Sequence, residues 1–76
     1  MDVEKSLPHR KTLARAIRFY RKRKKLTQEA LGELAELNPK YIGEVERCEK
    51  TISVDALARI AEAVSVPLKE LFKVVK

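Results

Sequence analysis

The fold of this chain is decided by the stretch Leu26-Thr-Gln-Glu-Ala-Leu-Gly-Glu-Leu-Ala-Glu-Leu-Asn-Pro-Lys-Tyr-Ile-Gly-Glu-Val-Glu-Arg47. Thr27 is a good helix N-cap, and apolar residues recur after it at helical spacing. Asn38 and Pro39 mark a second start, because asparagine caps helices and proline loses no hydrogen bond at the first helical position. The stretch therefore predicts two short helices joined by a tight turn.

The second of these helices buries little of its surface. Ile42 and Val45 form an inward stripe three residues apart, whereas the rest of the helix carries polar or large side chains. The outward set is Lys40, Tyr41, Glu44 and Arg47. A short helix exposed in this way is typical of a recognition element. We interpret the stretch as a helix-turn-helix whose second helix lies in the major groove of DNA.

Length and composition place the chain among small all-α domains. It has 76 residues, of which 45% are hydrophobic and 37% charged, and it contains two Gly and no Trp. We expect a flexible N-terminus over residues 1–6 and a single domain over residues 7–76. Ser6 and Ser53 are suitable caps for the first and fourth helices. Five short helices are predicted, over about residues 7–24, 28–35, 39–46, 54–64 and 68–74.

Positive charge is concentrated near the N-terminus. The net charge is +6, but residues 1–25 carry ten Lys or Arg against two Asp or Glu, a balance of +8. The basic cluster consists of Arg18, Arg21, Lys22, Arg23, Lys24 and Lys25. Such a cluster favours a polyanion as partner, although basic residues at a helix end also complement the helix dipole.

Other features narrow the class of protein. No apolar run approaches the ~20 residues of a membrane span, and the N-terminus lacks the apolar core of a signal peptide. The single Cys48 excludes an internal disulfide and fits a reducing compartment. His9 has no catalytic partner at a defined spacing, and no metal-binding spacing occurs. We expect a cytoplasmic protein, nucleoid-associated on DNA, that is not an enzyme, contacts no membrane and binds no metal, cofactor or small-molecule ligand.

Five blocks of the chain carry a resemblance to a known family. They are Ile17-Arg-Phe-Tyr-Arg21, Leu26-Thr-Gln-Glu-Ala-Leu31, Tyr41-Ile-Gly-Glu-Val-Glu-Arg47, Ser53-Val-Asp-Ala-Leu-Ala-Arg-Ile-Ala-Glu-Ala-Val64 and Val66-Pro-Leu-Lys-Glu-Leu-Phe72. In this order they resemble the phage repressor/Cro type of helix-turn-helix regulator, the XRE-like family. The layout is most similar to small stand-alone members, including the controller proteins of restriction–modification systems. The resemblance implies a compact five-helix lambda-repressor-like domain, its helix-turn-helix formed by helices 2 and 3, that regulates transcription by binding double-stranded DNA.

The resemblance also implies roles for individual residues. In the family, exposed early residues of the third helix read base edges; here they are Pro39, Lys40, Tyr41 and Glu44. Phosphate contacts are expected from Gln28, Arg47, Lys50 and Thr51, with Arg23 and Lys24 flanking the same backbone. The family positions matching Arg21 and Glu46 often form a partly buried ion pair between the first and third helices.

Two of the expected base readers have an alternative. Tyr41 either contacts a thymine methyl or a phosphate, or packs against the second helix. Glu44 either accepts a hydrogen bond from cytosine N4 or forms a local ion pair with Lys40 or Arg47.

Three backbone positions carry further expectations. Gly32 is expected where the second and third helices approach most closely, so that only a small residue fits there. Glu36 and Cys48 stand at positions where the family commonly has residues such as glycine, which favour the left-handed backbone conformation. Glu36 is expected to adopt that conformation at some strain or to bend the turn differently, whereas Cys48 is expected to be an ordinary loop residue.

The C-terminal end is more apolar than one short helix needs for its own core. The residues concerned are Leu68, Leu71, Phe72, Val74 and Val75. We therefore predict that residues 66–76 form a two-fold interface, so that a homodimer binds a palindromic operator. The alternative is a protein-interaction module with the same fold, such as an antitoxin or an adaptor, whose third helix packs on a partner protein.

Overall fold

The computed structural model of the protein describes residues 8–75. It contains helix α1 (Pro8–Arg23), α2 (Gln28–Ala35), α3 (Pro39–Glu46), α4 (Val54–Ala63) and a C-terminal 3-10 helix (Leu68–Phe72). The two helices predicted from the central stretch have the expected bounds. The expectations for residues 1–6, the Ser6 cap and Leu7, like Lys76, lie outside the described residues. None of the described helices is long and apolar enough to cross a membrane.

Three helices begin at the side-chain caps that the sequence predicts. Thr27 accepts a hydrogen bond from the backbone N–H of Ala30 at the start of α2. Asn38 accepts one from Lys40 at the start of α3, and Ser53 caps α4 in the same way. Each cap satisfies a donor that the first helical turn cannot satisfy itself. The starts of α2, α3 and α4 are therefore local properties of the sequence.

The predicted fifth helix, over about residues 68–74, is not an α-helix. Among the described residues there are four α-helices, and the segment after Pro67 is a 3-10 helix of five residues. Pro67 is extended and lacks an N–H, while Lys73 is extended again with ψ of 146°. Only five residues lie between these two extended residues. So short a segment can form few α-helical hydrogen bonds, and an α-helix there would be stabilised little. The tighter 3-10 form is therefore favoured.

The core lies where α1, α4 and the 3-10 helix meet the helix-turn-helix. Its largest fully buried side chains are Ile17, Leu31, Ile42, Leu57, Ile60, Val64 and Leu71. Leu34, which the helical spacing groups with Leu31 and Ala35, is instead 61% exposed. The neighbouring elements cover the face of α2 that carries Leu31 and Ala35, and Leu34 lies beyond that face.

Each of the four α-helices is followed, within two residues, by a left-handed residue that is not glycine. The residues and their φ angles are Lys25 (59°), Glu36 (57°), Cys48 (64°) and Ser65 (62°). At the end of α2 the N–H of Leu37 donates to the carbonyl of Gly32 over 2.8 Å, which closes the helix with a Schellman-type bond. Of the two alternatives for Glu36, the left-handed conformation is the one observed, and Cys48 adopts the same conformation in the loop after α3.

Replacing Glu36 by glycine is therefore expected to stabilise the protein. A side chain in the left-handed region costs about 1–2 kcal/mol, and the greater unfolded-state entropy of glycine offsets about 0.5–1 kcal/mol of the gain. We expect the free energy of unfolding in urea to rise by about 0.5–1 kcal/mol. Glu33→Gly, at an exposed position inside α2, is the control and should lower it by about 1 kcal/mol. A Glu36→Gly variant less stable than the wild type would contradict the strain argument.

Candidate nucleic-acid interface

Helix α3 presents three charged residues on one side. Lys40, Glu44 and Arg47 follow each other at spacings of four and three, which places them in one row along the helix. Lys40 and Arg47 are exposed, whereas Ile42 and Val45 on the opposite side are buried. The row is therefore the part of α3 that a second molecule can reach.

An ion pair between α1 and α3 fixes the position of this row. Arg21 Nε donates to Glu46 Oε2 over 2.7 Å, and Arg21 Nη2 donates to Glu46 Oε1 over 3.0 Å. The two side chains are 11% and 5% exposed, so the pair is nearly excluded from water. Arg21 Nη1 also donates to the backbone carbonyl of Leu26 over 2.8 Å. Arg21 thus ties α1, the segment before α2, and α3 together.

The predicted phosphate ligand Gln28 joins the same network. Its Nε2 donates to Glu46 Oε1 over 3.1 Å, and the residue is half-buried at the first position of α2. The hydrogen bond orients the amide but also occupies one of its donors. The second N–H of the Gln28 amide and the first backbone N–H groups of α2 are what this helix end can offer to an anion.

Gly43 brings Gln28 and Arg47 together. A Cβ atom on Gly43 would lie 3.0 Å from Arg47 Nη1 and 3.2 Å from Gln28 Oε1. The backbone of α3 at Gly43 is therefore flanked by two of the side chains expected to bind phosphate. A hydrogen in place of a side chain allows both to lie flat against the helix.

We expect Gly43→Ala to weaken DNA binding without lowering the free energy of unfolding. The two crowded atoms are the ends of flexible side chains, which can move aside, and alanine favours the helix by about 1 kcal/mol. The free energy of unfolding should stay within about 0.5 kcal/mol of the wild type or rise. DNA affinity should fall about tenfold, since Gln28 and Arg47 are displaced. An unchanged dissociation constant in fluorescence anisotropy, with an unchanged urea midpoint, would contradict a phosphate role for this pair.

Glu44 and Tyr41, each of which had two predicted roles, both contact the loop after α3. Glu44 pairs with neither Lys40 nor Arg47; its Oε1 lies 3.8 Å from Lys50 Nζ in the following loop. Tyr41 is half-buried against the core, and its hydroxyl donates to the backbone carbonyl of Thr51 over 3.2 Å. Both side chains thus connect α3 to the loop before α4.

Arg47 pairs with an exposed acid in the same loop. Its guanidinium donates to Glu49 over 3.0 and 3.2 Å, and both side chains are more than half exposed. The hydrogen bond from Arg47 lowers the pKa of the Glu49 carboxyl. A phosphate approaching Arg47 competes with Glu49 for the guanidinium.

The basic residues of α1 and of the turn after it line two different grooves. Arg23 and Lys24, expected to flank the bound backbone, line a groove with Tyr20 and residues 64–66, and the Arg23 guanidinium lies 6.0 Å from the Phe19 ring centre. Lys11, Arg15 and Arg18 instead line a groove with Glu46 and Cys48 at the end of α3. Sequence reasoning missed Lys11 and Arg15, although their spacing of four residues could have revealed them.

The predicted dimer residues differ in their exposure. Leu71 is fully buried in the core of the chain itself, so its side chain is not available to a second chain, contrary to the prediction. The 3-10 turn directs Leu71 inward and leaves Phe72 54% and Val74 74% exposed. Leu68 and Val75 are half-buried against the core.

The chain matches one protein family and is similar to several proteins of known function or structure. Residues 17–71 match the helix-turn-helix family HTH_3. Control protein C.SmaI from Serratia marcescens is 37% identical over 59 residues, covering 78% of this chain and 70% of that protein. The crystal structure of the restriction-modification controller protein C.AhdI from Aeromonas hydrophila has a TM-score of 0.80 and 32% identity, covering 83% of this chain and 96% of that chain. The clp gene regulator ClgR from Corynebacterium glutamicum has a TM-score of 0.77 and 31% identity, over 82% of this chain and 66% of that chain.

Proposed function

Because this chain belongs to the helix-turn-helix family HTH_3, we propose that it binds a two-fold symmetric DNA operator as a homodimer, with α3 in the major groove. The chain is a DNA-binding transcriptional regulator, as its family and its regulator relatives are. The resemblance to restriction–modification controller proteins seen in the sequence is confirmed.

One observation supports this mode of binding above all. The outward row of α3 stands beside the start of α2, with Gln28 and Arg47 on either side of Gly43. Phosphate ligands next to an exposed helix face are what a helix inserted into the major groove requires, because phosphate contacts fix its register while its side chains reach the bases.

We assign base reading chiefly to Lys40. It is exposed in the first turn of α3 and forms no ion pair with another described residue, so its ammonium can donate to guanine O6 and N7. Glu44 can accept from cytosine N4 while Lys50 orients it, and Pro39 lies beside them at the start of the helix. Tyr41 serves to hold the loop before α4 in place through Thr51.

The phosphate contacts follow the two sides of α3. Gln28 and the start of α2 lie on one side, and Arg47, Lys50 and Thr51 lie at the end of α3 and in the loop after it. Arg47 would exchange Glu49 for a phosphate on binding, a replacement of one charge-assisted hydrogen bond by another.

The dimer would form through the C-terminal tail. Phe72 and Val74 are large exposed apolar side chains close together in the chain, and Leu68 and Val75 border them. A two-fold contact there would place two α3 helices about one DNA turn, ~34 Å, apart. Sedimentation should show a dimer at tens of micromolar that Phe72→Ser and Val74→Ser convert to a monomer. A wild-type monomer that binds a single half-site without cooperativity would overturn the dimer.

Selection of bound sites from random duplex DNA tests the proposal directly. We expect a palindrome, because two α3 helices related by a two-fold axis read the same half-site on opposite strands. Affinity should fall by roughly 10³-fold or more between 50 and 200 mM salt if several phosphates are neutralised. No enrichment from random DNA, together with a salt-insensitive protein partner, would favour the alternative of a protein-interaction module such as an antitoxin or adaptor.

Lys40→Ala is expected to relax specificity at one base pair of each half-site. Loss of a contact to guanine should cost about 1–3 kcal/mol on the selected operator and much less on operators changed at that base pair. Competition binding against operators substituted at each position measures this. Arg59→Ala, at an exposed position of α4, is the control. An equal loss of affinity on every operator would show that Lys40 contacts phosphate and not a base.

A further inference from the structure

We propose that the outer face of α1 is a second phosphate-binding surface, which extends the DNA contact beyond the operator half-site. It consists of Lys11, Arg15, Arg18 and Lys22, which we call the α1 stripe. The proposal rests on DNA binding through α3 and assigns the duplex flanking the operator as the ligand of this stripe.

The four residues share one face of α1. They are separated by four, three and four residues, so they lie in a row along the helix opposite its buried side. All four are exposed, whereas Leu13 and Ile17 on the other side are buried. At a rise of 1.5 Å per residue the row is about 16 Å long, which corresponds to about five base pairs along a DNA duplex.

The α1 stripe lies next to the end of α3, and the start of α1 lies next to the loop that carries Lys50 and Thr51. Lys11, Arg15 and Arg18 line an open groove of about 270 Å³ together with Glu46 and Cys48, at the end of α3. The start of α1 also meets the loop after α3, where His9 and Arg10 line a smaller groove with Lys50 and Thr51. A phosphate backbone that leaves Lys50 along the protein surface would therefore run next to α1.

The charge of the α1 stripe has no compensation within the helix. No Asp or Glu occurs between residues 8 and 25. None of the four residues forms an ion pair with another described residue, in contrast to Arg21 and Arg47. Cations spaced by three and four residues repel one another in the free protein. A polyanion would relieve this repulsion, and the phosphates of DNA supply negative charge at regular intervals along such a row.

Arg23 and Lys24 are not part of this surface. They lie with residues 64–66 and Tyr20, on the side of α1 that meets the turn after α4 and the 3-10 helix. Arg23 and Lys24, which belong to the basic cluster of the sequence, are thus directed away from the end of α3. Lys11 and Arg15, outside that cluster, lie beside the end of α3 instead.

The test compares two charge-matched variants on two lengths of DNA. The stripe variant is Lys11→Gln, Arg15→Gln, Arg18→Gln, and the control variant is Ala58→Glu, Arg59→Glu, whose two residues are exposed on α4, away from α3 and from the C-terminal tail. Both lower the net charge equally. The selected operator is placed in a duplex that ends at its edges and in one extended by about ten base pairs, one helical turn, on each side. The dissociation constant is measured by anisotropy as a function of salt, after circular dichroism has verified that each variant is folded.

We expect the stripe variant to reduce the salt dependence on the long duplex only. Each lost phosphate contact removes about 0.9 from the slope of log affinity against log salt, so three substitutions in each of the two chains of the bound dimer should reduce the slope by about 5. On the short duplex the stripe variant should resemble the control variant. Equal slopes for wild type and stripe variant on the long duplex would overturn the proposal, as would equal reductions in both variants, which indicate an effect of net charge. An acidic protein as the partner of the α1 stripe would give the first of these results. Failure of the wild type to bind either duplex would instead overturn binding through α3.

Discussion

Replacing Arg21 by alanine is expected to lower the free energy of unfolding by about 3 kcal/mol, because Glu46 would remain as a buried charge without its partner. Glu46 is 5% exposed, and both of its carboxylate oxygens accept hydrogen bonds from Arg21 at 2.7 and 3.0 Å. The carbonyl of Leu26 would also lose the donor that it has at 2.8 Å. For a domain of 76 residues, a total stability of roughly 4–11 kcal/mol makes this a large fraction.

Urea unfolding of the wild type and Arg21→Ala measures the effect. Arg18→Ala is the matched control, since it removes an exposed arginine from the same helix and should change stability by about 0.5 kcal/mol or less. The double variant Arg21→Ala, Glu46→Ala should be less destabilised than the sum of the single variants, because it removes both charges together. A difference below about 0.5 kcal/mol between wild type and Arg21→Ala would contradict the buried ion pair.

The second large effect is expected for Gly32→Ala. A Cβ atom at this position would lie 2.6 Å from the carbonyl oxygen of Leu37 and 3.3 Å from Pro39 Cγ. The oxygen belongs to the backbone of the turn, which is held by the 2.8 Å hydrogen bond from Leu37 N to Gly32 O. Neither group can rotate away, so α2 and α3 must separate. Overpacking of this kind costs up to about 3 kcal/mol, and the better helix propensity of alanine returns about 1 kcal/mol.

A net loss of about 2 kcal/mol should appear in urea melts and should be accompanied by weaker operator binding, since α3 is turned away from Gln28. Gly43→Ala is the matched control because it also adds a methyl group to a helical glycine, but it meets only the ends of Arg47 and Gln28. The two variants should therefore differ in stability by at least about 1.5 kcal/mol. Equal stabilities would show that the turn adapts to a side chain at residue 32.

The sequence by itself determined the elements whose causes are local. Thr27, Asn38 and Ser53 mark helix starts because the acceptor that satisfies the first turn lies on the cap residue itself. Gly32 could be identified as a close approach, and Arg21 and Glu46 as a pair, because the family pattern fixes where the first three helices meet. Family membership followed from the same blocks of residues.

Tertiary structure alone decided which side of an apolar helix is covered. Leu34 and Leu31 have the same chemistry and suit the same helix, yet one is 61% exposed and the other fully buried, because only neighbouring elements determine what is covered. The same holds for Leu71, which the short 3-10 turn after Pro67 places in the core. The partner of Glu44 is Lys50 for a similar reason: the loop after α3 folds back, and spacing along the helix cannot predict this.

The basic residues of α1 show most clearly what the sequence determines and what only the tertiary structure decides. The sequence established that α1 is strongly basic, since composition needs no coordinates. Only the packing of α1 against α3 and against the segment after α4 separated Arg23 and Lys24 from Lys11, Arg15 and Arg18. The physical reason is that a helix distributes consecutive residues around its axis, about 100° apart, so neighbours in the sequence face different partners. Which partner each one faces depends on contacts between residues far apart in the chain.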